Sequence, residues 1–418
     1  MMQTTKHAVR KQLGLDFVAG IDEDTGNVQR CVIPEIRGND LEFLQSRSKQ
    51  QNCDDIEQRP AVPLIDLFCG VGGLSLGFHE ALKQVGLAPY TALAIDSDQD
   101  ALACYRANLG GAASSASDIR EIFSTDFNAK FSSIELDLKH QIPTGAILLG
   151  GPPCQGHSDL NNLTRRNDPK NLLYFIMARA AKVLQPEFIV IENVPTVVHD
   201  KGGVVELTRR ALASLGYHVH EQVLDLLKLG VPQTRKRHLM VAGRHHHFGG
   251  RLADLSKLRV PSRTVEWAIS DLANLPARES LIDEVAKPNV TTRDRIDFLF
   301  ENDLYDLPNS QRPPCHRLKK HSYSSIYGRL RWDSPAQTVT RGFYSMCMGR
   351  HVHPSHRRTL TAHEAARLQF FPDWFRFDDA KSRTKLAMMI GNAVPAKLGF
   401  VVGLELVTGL ELKGNHVR

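Results

Sequence analysis

The sequence predicts an α/β fold in which a sheet of parallel strands is joined to a second, smaller domain. Four short apolar stretches, PLIDLFCG, TALAIDSD, GAILLGG and PEFIVIENV, alternate with helical stretches such as LYFIMARAAKVL. This alternation is typical of βαβ units, whose strands run parallel. It ends after HLMVAGR at 238–244, and residues 245–328 are basic, irregular and contain proline. These later residues are therefore expected to lie outside the sheet.

Length and composition are those of a globular protein with more than one domain. The chain has 418 residues, 42% of them hydrophobic and 23% charged, so it can bury a full core. Its polar residues 1–60 are expected to form an N-terminal extension and linker. The first of them lack the apolar segment of a signal peptide, and no apolar run reaches the length of a membrane helix. We therefore expect a cytoplasmic protein without a membrane partner.

The first predicted strand leads into a glycine-rich turn. In DLFCGVGGLSLGF (66–78), Gly70, Gly72 and Gly73 lie after the strand and before a helix. Such a turn lets a ligand approach the backbone and offers it amides at a helix N-terminus. The pattern is not a full GxGxxG, because Ser75 occupies the last glycine position. Taken alone, it is a weak signal of a nucleotide site.

Acids at the ends of the next two strands strengthen that signal. Asp96 ends the second strand, at the offset from the glycine turn where an acid bonds ribose hydroxyls. Asp118 follows the expected third strand and could reach an adenine amino group. Nothing in the turn indicates a diphosphate, which the acid at Asp66 would repel. The set favours a nucleoside-containing cofactor with a cationic sulfonium.

The apolar stretch GAILLG leads directly into GGPPCQGHS (150–158), which places Cys154 behind two prolines. Two prolines stiffen the chain and remove two backbone donors, so the sheet cannot continue there. The thiol would then be held at the carboxyl edge of the sheet, where open α/β sheets bind ligands. A buried cysteine in a tight turn is an equally good interpretation of this stretch taken alone.

A basic stretch, residues 307–360, follows the irregular region. It holds ten Lys and Arg residues and one acid, Asp333, although the net charge of the chain is only +6. Such a stretch indicates binding to a polyanion, whereas a merely solubilising surface more often mixes both signs. The candidate phosphate contacts are Lys319, Lys320, Arg357 and Arg358.

Cysteine and histidine patterns argue against a metal site. The seven cysteines include no CxxC pair, which disfavours both a disulfide scaffold and a thiolate zinc site. HHH at 245–247 and HVHPSH at 351–356 lack a Cys or acidic partner at ligand spacing. We interpret both as polar loops and expect no metal.

Together these blocks resemble the DNA (cytosine-5)-methyltransferase family, and they occur in the family's order. DLFCGVGGLSLGF resembles the S-adenosylmethionine loop, GPPCQGHS the nucleophile loop, ENV (192–194) the glutamate motif and QTRKRHLMVAG (233–243) the arginine motif. The last two blocks of the family are resembled by RLRWDSPAQTVT together with RTLTAHEAARLQFFPD, and then by GNAVP. The resemblance spans about residues 62–400.

The resemblance implies a Rossmann-like S-adenosylmethionine-dependent methyltransferase domain with a smaller target-recognition domain. Residues 61–244 would form the catalytic domain, completed by 384–418, and residues 245–383 the recognition domain. The C-terminal segment would pack back on the first strand and complete the cofactor pocket. The basic stretch would then face the catalytic domain across a cleft that holds duplex DNA.

The resemblance also assigns residues to roles. Cys154 would add to carbon 6 of a flipped-out cytosine, and Glu192, protonated or sharing a proton, would pair with ring nitrogen 3. Arg237 would contact the 2-oxo group, with Arg235 near the cofactor or the DNA. The implied cofactor residues are Phe68, Gly70, Gly72, Gly73, Asp96, Asp118, Ile119, Pro152 and Asn392.

Two alternatives stay open at this point. One is an RNA-directed relative, similar to the tRNA cytosine-5 methyltransferases. The other is a catalytically inactive DNA-binding or regulatory homologue, against which the intact Cys154, Glu192 and Arg237 argue. Cytosine-N4 and adenine-N6 enzymes are disfavoured, because their loop ends in Tyr or Trp where GPPC has Cys154. For the main interpretation we expect a monomer that modifies duplex DNA, with a restriction endonuclease encoded nearby.

Overall fold

The computed structural model describes residues 33–49, 59–111, 113–153, 172–244, 255, 260–273, 280–317 and 326–411. Its centre is a seven-stranded sheet. The strands of this sheet are β1 (Ala61–Leu67), β2 (Ala88–Ile95), β3 (Ser114–Ser115), β4 (Ile147–Gly150), β5 (Phe188–Asn193), β6 (His218–Asp225) and β8 (Lys236–Gly243). A second, two-stranded sheet pairs β7 (Gln233–Thr234) with β9 (Ala336–Gln337).

The order of the large sheet is β3-β2-β1-β4-β5-β8-β6. Strands β3, β2, β1, β4 and β5 are parallel, which confirms the prediction made from the alternating strands and helices. The chain moves outward in one direction from β1 and then returns to β4 on its other side. The gap between the carboxyl ends of β1 and β4 is therefore the switch point at which such sheets bind ligands.

The far edge of the sheet departs from this pattern. Strand β8 runs antiparallel to both β5 and β6. The edge strand β6 has the sequence HVHEQVLD and is half exposed along most of its length. Because it has no apolar run, β6 was not among the strands predicted from the sequence.

Thirteen α-helices are described in these parts of the chain. They are α1 (Asp40–Gln45), α2 (Gly73–Gln84), α3 (Gln99–Leu109), α4 (Ile119–Ile122), α5 (Ser133–Gln141), α6 (Leu173–Leu184), α7 (Val204–Ser214), α8 (Val265–Ala273), α9 (Val290–Glu301), α10 (Pro314–Arg317), α11 (Ala362–Leu368), α12 (Arg383–Asn392) and α13 (Ala396–Glu411). Helices α8 and α9 lie within the region expected to be irregular, so that expectation was wrong for those residues.

The C-terminal helix α13 packs on α2 with almost no space between the two backbones. A Cβ atom at Gly77 would lie 2.1 Å from the carbonyl oxygen of Ala396, and one at Gly399 would lie 2.3 Å from that of Leu74. Gly73 approaches the carbonyl of Val394 in the same way. The C-terminal segment thus packs on the helix that follows β1, whereas contact with β1 itself was expected from the sequence.

Replacing Gly77 with alanine should destabilise the protein by about 1–3 kcal/mol or more, because the added methyl group forces two helices apart. Thermal unfolding measures this. Gly86→Ala is the control, since its Cβ meets nothing within 4 Å and its cost is only that of a φ of +80°. Equal unfolding temperatures for the two variants would contradict the tight contact.

Residues 33–45 are part of the core and not a linker, which corrects the expectation for this part of residues 1–60. Ile36, Phe43 and Leu44 are buried. The buried Lys397 ammonium donates to the carbonyl oxygen of Pro34 at 2.6 Å and to both carboxylate oxygens of Asp40 at 2.8 and 3.0 Å. The core position of residues 33–45 was not evident from the sequence, because the segment has few apolar residues. Most of its charged side chains form ion pairs with other parts of the protein.

The buried hydrophobic residues within the described ranges form three clusters. Two of them cover the two faces of the large sheet, and the first also contains α8, α11, α12 and α13. The third is small and separate, with Ile296 and Leu299 of α9 packed on Leu307, Ile326, Tyr327, Met346 and Val352. Helix α8 and the segment around α11 therefore share the core of the sheet, whereas α9 and its neighbours have their own.

HVHPSH at 351–356 is irregular, as expected of a loop, but most of it is buried. His351 and His353 are buried. His353 Nδ1 accepts hydrogen bonds from the backbone N–H groups of Ser355 and His356, and its Nε2 lies 3.4 Å from Glu364. Burial lowers the pKa of His351 to about 4. These side chains are internal to the fold.

His363 of α11 joins two carboxylates, with Nδ1 2.8 Å from Asp283 and Nε2 2.8 Å from Asp373. Burial alone would lower its pKa, but the two acids outweigh burial and raise the pKa to about 9. Protonated His363 therefore stabilises the fold fully below its unfolded pKa of about 6.5, and this stabilisation is lost as pH rises through about 9.

Accordingly, the stability of the wild type should fall relative to His363→Gln as pH rises from about 6.5 to about 9. Urea unfolding at several pH values measures the difference. His140→Gln, at an exposed helix end, is the control. A wild-type and His363→Gln difference that does not vary with pH would contradict the ion-paired histidine.

The stretch Arg383–Val407 is long and apolar enough to cross a membrane, but 83% of its most apolar window is buried inside the protein. It consists of α12 and α13, which are separated at Pro395. These are features of core helices, and the stretch is weak grounds for a membrane span.

Candidate active site

A cavity of about 500 Å³ lies at the carboxyl ends of β1, β2, β4 and β5, at the switch point of the sheet. Most residues predicted for the site line it: Phe68, Gly70, Gly73, Asp96, Asp118, Ile119, Pro152, Glu192, Arg235, Arg237 and Asn392. Gly72 is adjacent to it without lining it, and Cys154 lies outside the described residues. Residues from both ends of the chain thus meet at one place, while their roles remain predictions.

The glycine-rich turn has an unusual backbone. Phe68 has a φ of +59°, Gly70 of +52° and Gly72 of +89°. A non-glycine residue in the left-handed region is strained, and such strain is concentrated at functional sites. A Cβ at Gly72 would lie 2.5 Å from Leu109 and 2.7 Å from Tyr105. Gly72 therefore allows α2 and α3 to pack, and the cavity wall is made by its neighbours.

Asp96 closes the turn from the adjacent strand. Its carboxylate accepts a hydrogen bond from the backbone N–H of Gly70 at 2.7 Å and another from Asp98 at 2.8 Å. Burial raises the pKa of Asp96. The carboxylate is thereby held in one orientation at the cavity wall, where the hydroxyl groups of a bound sugar could donate hydrogen bonds to it.

Asp118 forms an ion pair with Arg120, which was not predicted from the sequence. Arg120 donates from Nε to Asp118 Oδ1 at 2.9 Å and from Nη2 to Oδ2 at 2.5 Å. These hydrogen bonds lower the pKa of Asp118 to about 2. Arg120 also lines the cavity. The position of Arg120, two residues after Asp118, was visible in the sequence, but the orientation of its side chain toward Asp118 was not.

Asp66, at the end of β1, lies beneath the cavity and is buried. Ser75 Oγ donates to its Oδ2 at 2.6 Å, and Tyr105 donates in turn to Ser75 at 3.1 Å. Burial raises the pKa of Asp66 to about 7. With Asp96, Asp98 and Asp118, it gives this half of the cavity an acidic lining.

Glu192 and Arg237 face each other in the other half of the cavity. Strand β5 carries Glu192, and the neighbouring β8 carries Arg237, whose Nε lies 2.5 Å from Glu192 Oε1. Within the described part of the chain, that oxygen accepts no well-aligned hydrogen bond. The pair therefore offers a carboxyl group and a guanidinium side by side to whatever enters the cavity.

Asn193 and Pro152 fix the start of the loop that leads to Cys154. Asn193 Nδ2 donates to the carbonyl oxygen of Pro152 at 3.1 Å, and Asn193 Oδ1 accepts from Val194 at 2.8 Å. The glutamate motif is thus hydrogen-bonded directly to the first residues of the nucleophile loop.

Arg235 differs in its surroundings from Arg237. It is buried and donates to the carbonyl oxygens of Val339 at 2.9 Å and Ala393 at 3.2 Å. Its guanidinium therefore holds two backbone segments together at the edge of the cavity. This arrangement fits a positioning residue better than one that contacts the substrate.

Two buried glutamines, which the sequence analysis did not single out, reinforce Arg235. Gln233 Nε2 donates to Gln369 Oε1 at 2.8 Å, and Gln369 Nε2 donates to the carbonyl oxygen of Ile390 at 2.7 Å. Gln233 Oε1 accepts from the backbone N–H of Val339 at 3.1 Å. Together they tie β7 to the turn after β9 and to the end of α12. Gln233 lies in QTRKRH and Gln369 in RLQFFP, both within motifs quoted above. Membership of those motifs was the signal in the sequence that could have identified them.

A doubly wound sheet with an acidic, glycine-edged cavity at its switch point is the architecture of enzymes that bind nucleoside-containing cofactors. Residues 62–408 match the family model of the C-5 cytosine-specific DNA methylases. The chain belongs to that family, as its ordered motifs predicted, and it has the Rossmann-like fold of S-adenosylmethionine-dependent methyltransferases.

Individual relatives agree with this assignment. The chain is 39% identical over 404 residues to the type II methyltransferase M1.BsuMI of Bacillus subtilis, covering 94% of this chain and 93% of that protein. It is 30% identical over 368 residues to the type II methylase M.HgiDII of Herpetosiphon aurantiacus, covering 85% and 97%. A crystal structure described as a prophage-encoded DNA modification methyltransferase of E. coli has the same fold, with a TM-score of 0.56 at 23% identity, over 84% of this chain and 99% of that one.

Proposed function

We propose that this protein transfers a methyl group from S-adenosylmethionine to carbon 5 of a flipped-out cytosine in duplex DNA. The observation that carries the proposal is the Glu192–Arg237 pair, which lines the same cavity as Asp96 and the glycine turn. A carboxyl group and a guanidinium can together bind the polar edge of a cytosine ring, and the other half of the cavity can hold the methyl donor.

The residues present suit S-adenosylmethionine. Four carboxyl groups, those of Asp66, Asp96, Asp98 and Asp118, line one half of the cavity. Such a lining disfavours a diphosphate and favours a ligand with a sulfonium and an ammonium group. Asp96 would hold the ribose, Asp118 and Ile119 would lie at the adenine, and Phe68 would pack on its face. When bound, the cofactor supplies the methyl group.

The protein's own groups would activate the base in sequence. The Cys154 thiolate adds to carbon 6 of cytosine, and the ring electrons move toward nitrogen 3. Glu192 donates a proton or a strong hydrogen bond to nitrogen 3, while Arg237 donates to the 2-oxo group, where negative charge develops. Carbon 5 thereby becomes an enamine carbon that can take the methyl group. Loss of the carbon 5 proton to a base then expels Cys154 as a thiolate.

The biological setting would be a restriction-modification system. Support comes from M1.BsuMI and M.HgiDII, which are both named type II enzymes. The product would be duplex DNA protected from a restriction endonuclease in the bacterial cytoplasm. Target recognition would involve the small core around α9, which is separate from the core of the sheet. The RNA-directed alternative is not favoured by the family match or by these names.

Bisulfite sequencing of a plasmid from a methylation-free bacterial host that expresses the protein tests the proposal. We expect 5-methylcytosine at every copy of one short sequence, and none in the vector control. Purified tRNA incubated with protein and labelled cofactor tests the alternative. Unmodified plasmid from cells with folded protein would contradict the proposal, and labelled tRNA would then support the RNA enzyme.

A further inference from the structure

Several arginines of the basic stretch 307–360 are already neutralised within the protein. Arg358 makes two hydrogen bonds to the buried carboxylate of Glu364, at 2.8 and 2.7 Å. Arg357 pairs with Asp297 at 3.0 Å and Glu301 at 3.4 Å. Similar pairs join Arg329 to Asp303 and Arg350 to Asp306. Arg357 and Arg358, expected to contact phosphate, are therefore poor candidates, and Lys319 and Lys320 lie outside the described residues.

Arg341 is different. Its side chain is exposed. Among the residues that the structure describes, Arg341 has no ion-pair or side-chain hydrogen-bond partner. No acid in the described ranges therefore neutralises the charge of Arg341, and its guanidinium can bind an external anion.

The backbone of Arg341 is fixed against the wall of the cavity. A Cβ atom at Gly391, which lines the cavity, would lie 2.2 Å from the backbone nitrogen of Arg341 and 2.4 Å from the carbonyl carbon of Thr340. Two residues earlier, the carbonyl of Val339 accepts the hydrogen bond from Arg235. The turn that carries Arg341 is thus held on both sides by residues that line the cavity.

We propose that Arg341 contacts a backbone phosphate of duplex DNA next to the target nucleotide and holds that strand at the cavity. This rests on the proposed function, because it takes the polyanion to be the DNA that enters this cavity. A guanidinium whose backbone is held at the wall of the cavity that contains Glu192 and Arg237 would anchor the strand whose base is extruded. The contact neutralises a phosphate, so it contributes to affinity for every sequence alike.

The test compares Arg341→Gln with Arg357→Gln. Each variant removes one positive charge from the basic stretch, but the charge of Arg357 is already balanced by Asp297 and Glu301. Fluorescence anisotropy with a labelled mixed-sequence duplex gives affinity as a function of salt concentration. For Arg341→Gln, we expect weaker binding and a slope of log affinity against log salt that is smaller by about one unit. For Arg357→Gln we expect the wild-type slope, and Arg341→Lys should retain it because the charge is kept.

The outcomes separate this inference from the proposed function. Wild-type protein that methylates DNA, combined with equal slopes for Arg341→Gln and Arg357→Gln, would overturn the phosphate contact and leave the function intact. Wild-type protein that neither binds nor methylates DNA would overturn the function itself. Binding of S-adenosylmethionine, measured by calorimetry, should be the same in all variants, and its loss in Arg341→Gln would instead assign that residue to the fold of the cavity.

Discussion

Replacing Cys154 with serine is expected to abolish methyl transfer to DNA while binding of DNA and of S-adenosylmethionine persists. The proposed reaction requires a nucleophile that adds to carbon 6 and then leaves, and a serine hydroxyl is ionised far less readily than a thiol. Single-turnover assays with labelled cofactor measure the transfer. Calorimetry and anisotropy measure the two affinities on the same preparation.

Cys347→Ser is the matched control, because Cys347 is an exposed free cysteine that does not line the cavity. It should retain wild-type turnover. Transfer by Cys154→Ser at even a tenth of the wild-type rate would show that the thiol is not the nucleophile, and the resemblance of GPPCQGHS to a nucleophile loop would then be misleading.

Replacing Glu192 with glutamine should lower the rate of methyl transfer by about 100- to 10,000-fold, the usual size of a general acid–base contribution. Glutamine keeps a group of the same shape at the cavity wall but cannot deliver a proton to nitrogen 3. It also removes the charge that faces Arg237 at 2.5 Å. DNA affinity should change little, because phosphate contacts dominate it. Single-turnover rates and anisotropy separate the two effects.

Glu221→Gln provides the comparison for Glu192→Gln. Glu221 lies on β6, contacts His238 at 3.3 Å and does not line the cavity. It should have a wild-type rate. If Glu192→Gln has the same rate as Glu221→Gln, Glu192 is a structural acid whose pairing with Arg237 joins β5 to β8 and takes no part in the reaction.

The parallel half of the fold is predictable because its strands are buried on both faces. Such strands are continuous apolar runs, as in FIVIEN of β5, so they stand out from their surroundings. Strand β6 is not predictable in the same way, since it lies at the sheet edge and its exposed positions are polar. The core position of residues 33–45 is also not predictable, because it depends on the ion pair between Asp40 and Lys397, which are 357 residues apart in the sequence.

The candidate active site is also only partly predictable from the sequence. Glycines, acids and motif residues are visible in the sequence, and the structure brings most of them to one cavity. What each side chain contacts is not visible: Arg235 and Arg237 are two residues apart, yet one binds backbone carbonyls and the other faces Glu192. Charge density was a poor guide for the same reason, since Arg357 and Arg358 count as basic but are already paired.

The covalent step is tested most directly with a duplex that carries 5-fluorocytosine at the target position. Fluorine cannot leave carbon 5 as a proton, so the enzyme should remain attached to methylated DNA after one turnover. We predict a denaturation-resistant complex that forms only with S-adenosylmethionine, and peptide mapping should locate the attachment at Cys154. No complex with an otherwise active enzyme, or attachment at Cys69, Cys315 or Cys347, would contradict the mechanism.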